Sequence, residues 1–298
     1  MENSLSIIGA SRVGRALGRR LRELGWKIGA VITRSEASAR RAVRFIGAGK
    51  AHAQMTRQIV LSRVILIAVP DDEIAGIAKE LARIGGEELR GKVVLHTSGA
   101  LNGCVLDPVK ASGAAVGSMH PLQSFSGVVV PVLEGRVFAV EGDTQAVRAA
   151  RQIGRSLGGS PVWIPAGKKI LYHAAATMAA SNVLAVEEAA SQLLMSAGMK
   201  RRQATGALLK LTRQVLENME RLGARAAWTG PLSRGDFNVV EAHLEALRES
   251  PAEFALAHEA LNRLAARLLS QDAGGMLAEL DKMQAGTKVK AKATGGNA

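Results

Sequence analysis

The sequence predicts an α/β protein: a doubly wound parallel sheet over residues 1–165, an all-helical domain over residues 166–281, and a disordered basic tail over residues 282–298. Three observations carry that prediction. Short apolar runs alternate with helical patterns as far as Trp163, the pattern beyond Pro165 is helical only, and a glycine turn separates the first apolar run from the first helix. A chain of 298 residues with 47% hydrophobic content can fill a core in each of two domains.

Leu5-Ser6-Ile7-Ile8 reads as a strand that runs into Gly9-Ala10-Ser11-Arg12-Val13-Gly14, and a helical pattern follows as far as Leu24. Residues 28–33 make a second strand and 36–45 a second helix; residues 64–69 are wholly apolar, as in a parallel strand covered on both faces. Further strands are expected at 93–96, 114–116 and 137–140, separated by helical stretches such as 72–83 and 144–157. This alternation implies right-handed crossovers. Residues 168–197, 199–222, 236–248 and 251–271 all read as helices. Ala174, Ala175, Ala176, Ala179 and Ala180 give the first of these a small-sided face that another helix, or a second subunit, can approach closely.

The net charge of +13 is unevenly spread. Residues 1–63 hold 13 Lys and Arg against 3 Asp and Glu, and the segment from Lys282 adds four lysines and no acid, so residues 64–281 are close to neutral. The basic N-terminal block has no aromatic platform or reading element beside it, which argues against a specific nucleic-acid partner. No apolar window has the length of a membrane span. A single cysteine, Cys104, and no signal-peptide pattern at the start point to the cytoplasm.

The glycine turn sits where a Gly-x-Gly-x-x-Gly dinucleotide fingerprint belongs, after a strand and before a helix, so the first domain reads as a Rossmann domain with Gly9, Ala10, Ser11, Arg12, Val13 and Gly14 at the pyrophosphate. Ser11 replaces the middle glycine. The second strand ends in Thr33-Arg34-Ser35, and Arg34 stands where an NAD-binding domain usually places an acid; a guanidinium there suits a 2′-phosphate, with Ser35 and Arg12 as further donors, so NADP is the expected cofactor. Arg40, Arg41 and Arg44 read as a solvated face. Val69, Pro70 and Asp71 end the apolar strand and are expected to line the cofactor's ribose, with Asp72 as a helix cap.

Ser98, in His96-Thr97-Ser98-Gly99, ends another strand on the same edge and either faces the nicotinamide or caps a following turn. Residues 118–125 read as a loop after a strand, bringing His120 and Gln123; His120 precedes Pro121 and is expected to be extended. Lys169, His173, Thr177 and Ser181 form one polar stripe at helical spacing. Carbonyl reduction needs a proton for the oxygen, and Lys169, or secondly His173, can supply it. Asn182 lies well around that helix from Lys169. Arg234 can bind a substrate carboxylate, Asp236 can cap the next helix, and His243 follows on the same face. No metal-ligand pattern is present.

Together His96-Thr97-Ser98-Gly99, residues 119–125, Tyr172-His173-Ala174-Ala175 with Ser181-Asn182, and the stretch from Gly230-Pro231 to His243-Leu244 resemble Rossmann-like proteins with a characteristic C-terminal domain of unknown function, within the 6-phosphogluconate-dehydrogenase-like superfamily. The resemblance spans about residues 4–270, with more distant similarity to ketopantoate reductase, pyrroline-5-carboxylate reductase and deazaflavin-dependent NADP oxidoreductases. It implies an NADP-linked reductase with an inter-domain active site, a helical dimerisation domain giving a homodimer, and a small 2-oxo acid (ketopantoate-like) or imine as substrate. In the ketopantoate reductase pattern a lysine is followed by asparagines at four-residue steps; here His173 and Thr177 follow Lys169. The alternative, motivated by Ser11, is a non-catalytic NADP-binding sensor.

Overall fold

The computed structural model describes residues 3–127 and 129–294. The chain divides after Asn182 into two units. The first alternates strand and helix: β1 (Ser4–Ile8), α1 (Arg12–Glu23), β2 (Lys27–Ile32), α2 (Glu36–Ile46), β3 (Lys50–His52), β4 (Val64–Ile67), α3 (Asp71–Gly85), β5 (Val93–His96), α4 (Asp107–Ala111), β6 (Ala115–Pro121), β7 (Val137–Gly142), α5 (Thr144–Ser156) and β8 (Ser160–Trp163). Helix α6 (Lys169–Thr177) and a π turn (Met178–Asn182) complete it. The eight strands form one sheet in the order β3-β2-β1-β4-β5-β6-β7-β8.

Both faces of this sheet are covered, and the strand period decides which residue goes where. Along β4, Val64 and Leu66 join one core with Leu5, Ile7, Leu17 and Leu21. Ile65 and Ile67 point the other way, into a core with Ile74, Ala78 and Leu81 of α3.

The sheet is not parallel throughout. β7 pairs antiparallel with β6, and β8 pairs parallel with β7. A parallel return needs a crossover, usually a helix. The described residues among 122–136 contain no helix, so the chain comes straight back alongside β6; α5 then supplies the crossover to β8. One consequence corrects the sequence reading. Ser118, Met119 and His120 are not loop residues but strand residues, paired with Glu141, Val140 and Ala139. His120 is extended, as its place before Pro121 requires.

The second unit is helical: α7 (Val183–Ser196), α8 (Arg201–Leu222), α9 (Ala224–Ala227), α10 (Pro231–Arg234), α11 (Phe237–Ala246), α12 (Ala252–Leu269) and α13 (Ala273–Thr294). Its buried cluster is small, consisting of Leu232, Val240, Ala266 and Leu280. The stretch expected as one helix over residues 168–197 is interrupted by the π turn. Helix α13 continues through residues 282–294, where the sequence pattern suggests disorder. Lysine and alanine are good helix formers, and extending an existing helix needs no new nucleus. The remaining tail, residues 295–298, lies outside the described residues. No described helix is long and apolar enough to cross a membrane.

Candidate active site

The turn after β1 is shaped by its glycines. Gly9 has φ +92°, and a Cβ there would lie 2.3 Å from the Ala68 carbonyl oxygen; one on Gly14 would lie 2.8 Å from the Ala68 Cβ. The first and third glycines therefore let the turn and α1 close onto the end of β4. Ser11 is the N-cap of α1, its oxygen accepting the Gly14 N–H at 3.1 Å, which leaves its own O–H free to donate outward. A groove of about 800 Å³ opens at the carboxyl ends of β1, β2 and β4. Gly9, Ala10, Ser11, Thr33, Arg34, Val69 and Pro70 all line it. Such a groove, with a helix N-terminus and a loop that admits no Cβ, fits the pyrophosphate and ribose of a dinucleotide.

Other residues of the expected cofactor set lie elsewhere. Arg12 reaches the Phe125 carbonyl at 3.5 Å, Val13 packs on the core, and Ser35 caps α2 by accepting the Ser38 N–H at 3.3 Å. Asp71 opens α3 and accepts the Ser98 hydroxyl proton at 2.7 Å. Arg34, which does line the groove, has a side chain 90% exposed and a loose pair with Glu73 at 3.6 Å. Sequence reasoning missed Arg15, Ser38 and Arg41, which also line the groove, and it had assigned Arg41 to the solvated face.

A second cluster is built where the turn after β5, the strand β6 and helix α6 meet. Lys169 is 1% exposed. Its ammonium donates to the Ser98 carbonyl at 3.0 Å and to Ser118 Oγ at 2.9 Å, leaving one N–H uncommitted. The Ser118 hydroxyl passes on to Glu141 Oε2 at 3.4 Å, which also accepts the Gly103 N–H at 2.7 Å. Burial pulls the Lys169 pKa down to about 8 against the opposing pull of Glu141 and Asp71.

The neighbours of Lys169 are rings. His120 Nδ1 lies 2.8 Å from the Tyr172 hydroxyl, and the His120 and His173 rings meet edge to face at 5.9 Å. Burial, then the Lys169 and His173 charges, lower the His120 pKa to about 4, while burial raises Tyr172 to about 12. Gly99 makes this contact possible, since a Cβ there would stand 2.5 Å from His173 Cδ2. His96 is wholly buried; its Nδ1 accepts the Ser98 N–H, so its Nε2–H donates to the Asn102 carbonyl, and burial lowers its pKa to about 4. The Ser98 hydroxyl caps the turn by accepting the Ala100 and Leu101 N–H groups at 3.1 and 2.9 Å.

The structure thus brings Lys169, His173, His120 and Ser98 together, and adds Tyr172, Ser118, Glu141 and Gly99. Tyr172 was legible in principle, because a residue three positions after Lys169 shares its helix face. Gln123 instead donates to the neighbouring Ser124 carbonyl, and Asn182 ends the π turn exposed. In the second unit Arg234 binds Asp236 at 2.9 Å, and His243 is exposed and packs edge to face on His258 at 5.6 Å. Among the described residues no three His, Cys, Asp or Glu are grouped to hold a metal.

A glycine turn at the head of a mostly parallel sheet, with a groove over its carboxyl edge, defines a Rossmann-like fold. Residues 2–121 match the family model of a Rossmann-like domain, and residues 136–266 match that of a domain of unknown function, DUF2520. A search of curated protein sequences returned no match. Among solved structures, the chain is similar to a Bacteroides fragilis protein provisionally named an NADP oxidoreductase, at 21% identity and TM-score 0.73 over 88% of this chain and 97% of that one. It is similar to a Thermotoga maritima protein at 26% identity and TM-score 0.67, over 87% and 96%. A reductive aminase from Aspergillus terreus, solved with NADPH and ethyl-5-oxohexanoate, aligns at 19% identity and TM-score 0.66, over 90% and 94%.

Proposed function

We propose that the chain is an NADP(H)-dependent oxidoreductase that reduces a small 2-oxo acid or imine. The observation that carries this reading is Lys169, a lysine closed off from water, held by Ser98 and Ser118, and set among His120, Tyr172 and His173. Burying an ammonium destabilises a fold, and such groups cluster at functional sites. The glycine turn and its groove support a dinucleotide, and the likeness to a reductase solved with NADPH supports the phosphorylated form. The same likeness supports the imine alternative.

A bound reduced nicotinamide supplies hydride to the substrate carbon. This chain's own residues supply the proton. With a pKa of about 8, Lys169 is protonated at neutral pH yet weakly enough to give the proton up; His120, at about 4, carries none to spare, and Tyr172, at about 12, holds its own firmly. The uncommitted Lys169 N–H is the proton to be given, and His173 is the second candidate. Ser98 and Ser118 fix the ammonium; Asp71 and Glu141 keep it charged. The reading includes a homodimer through the C-terminal helices.

The test is a titration of NADPH and NADH, followed by turnover against a panel of 2-oxo acids and imines. NADPH is expected to bind more tightly than NADH and to be oxidised by at least one substrate. Lys169→Met should retain NADPH binding while turnover falls by about 10²- to 10⁴-fold. Full activity in Lys169→Met with loss in His173→Ala would move the proton to His173. NADPH binding with no oxidation by any substrate would leave a sensor.

A further inference from the structure

We infer that the 2′-phosphate is held by Arg15, Ser38 and Arg41, which line the groove, rather than by Arg34 at the end of β2. This rests on the NADP reading above, and deepens it by naming which side chains select the phosphorylated dinucleotide. Arg34 is poorly placed for the task alone. Its guanidinium is almost wholly in solvent and shared with Glu73, and an exposed charge of that kind contributes little.

Arg15 and Arg41 differ from it in their partners. Among the described residues, neither has a carboxylate partner, and both, like Arg34, line the groove. The Arg15 Nε is buried with no hydrogen-bond partner among the described residues, a state that costs stability until an acceptor arrives. Its guanidinium lies 5.2 Å over the Phe45 ring, which fixes it against α2. Arg41 is one turn before Phe45 on that helix, and donates to Ser38 Oγ at 2.9 Å. The Ser38 O–H is left free to donate into the same space. Two guanidiniums without a carboxylate partner among the described residues, and a hydroxyl lining the same groove, suit the dianion and acceptor oxygens of a phosphate monoester.

The experiment measures binding of 2′,5′-ADP and of 5′-ADP to the full-length protein by calorimetry. Wild type should prefer 2′,5′-ADP. Arg41→Gln and Arg15→Met should each weaken 2′,5′-ADP by about tenfold or more and leave 5′-ADP unchanged, while Arg34→Gln changes the ratio by less. Retained 5′-ADP binding shows that each variant is folded. If the preference survives both Arg41→Gln and Arg15→Met, or disappears in Arg34→Gln alone, the clamp is wrong. Equal binding of the two nucleotides by wild type overturns the clamp and spares the dinucleotide groove. Binding of neither removes the NADP reading and the clamp with it.

Discussion

Lys169 is charged in the unfolded chain up to its ordinary value of 10.5, but in the folded protein only up to about 8. The fold therefore carries a penalty that is complete below pH 8 and fades as pH rises from 8 to 10.5, where the unfolded chain binds more protons than the native one. At one unit for each 1.36 kcal/mol the penalty is on the order of 3 kcal/mol. Lys169→Met removes it and forfeits two hydrogen bonds of roughly 1 kcal/mol each, for a net gain of about 1 kcal/mol at pH 7. Denaturant melts of both proteins at pH 7 and pH 10 should show the variant ahead at the lower pH and its lead gone at the higher. A variant less stable than wild type at pH 7 would mean that the ammonium helps the fold. The proton-donor reading adds that turnover holds steady below about pH 8 and falls above it. Lys169 and His173 could be found in the sequence because helical spacing alone puts them on one face. Arg41 could not: nothing in the chain distinguishes it from Arg40 or Arg44, and only the groove does.

Between elements, the closest fit at the site is the turn after β5 beneath α6. Gly99 has no side chain there because two rings occupy the space, His173 from α6 and His120 from β6. A methyl added at Gly99 would lie 2.5 Å from His173 Cδ2 and 3.0 Å from His120 Nε2, so either a ring or the helix must move. Since Lys169 hangs from the same turn through the Ser98 carbonyl, a shift of the helix also moves the ammonium. Gly99→Ala is expected to lower kcat by about 10- to 100-fold while NADPH affinity, set by a different turn, is unchanged. Equal kcat in the variant would show that the cluster is loosely held. The strands were legible to very different degrees. β4 was plain because all of its residues are apolar, as a strand with both faces covered requires. β3 and β8 were missed, being short edge strands with no alternation, and the reversal at β7 was invisible because it depends on the described residues among 122–136 lacking a crossover helix.

At the scale of the whole molecule, the second unit has far more apolar surface than its own core absorbs. Its buried cluster holds four side chains, whereas Leu184, Leu211, Leu216, Met219, Leu222, Leu256 and Leu268 are each more than half exposed. Large apolar side chains exposed in such number point to a site of association. Covering a leucine contributes roughly 1.5–3 kcal/mol, so a handful of them on each side offsets the cost of holding two chains together, on the order of 4–15 kcal/mol. A second copy of the chain is the partner that the proposed homodimer names, and α8 is where it is most easily tested. Leu211, Val215 and Leu222 recur there at helical spacing, with Leu216 and Met219 beside them. Sedimentation of wild type at micromolar concentration is expected to give a dimer. Leu216→Glu combined with Leu222→Glu should give a monomer whose helix content is unchanged, because neither side chain is part of the buried cluster. A wild-type monomer across the accessible concentration range would exclude the homodimer and leave the exposed leucines to another partner.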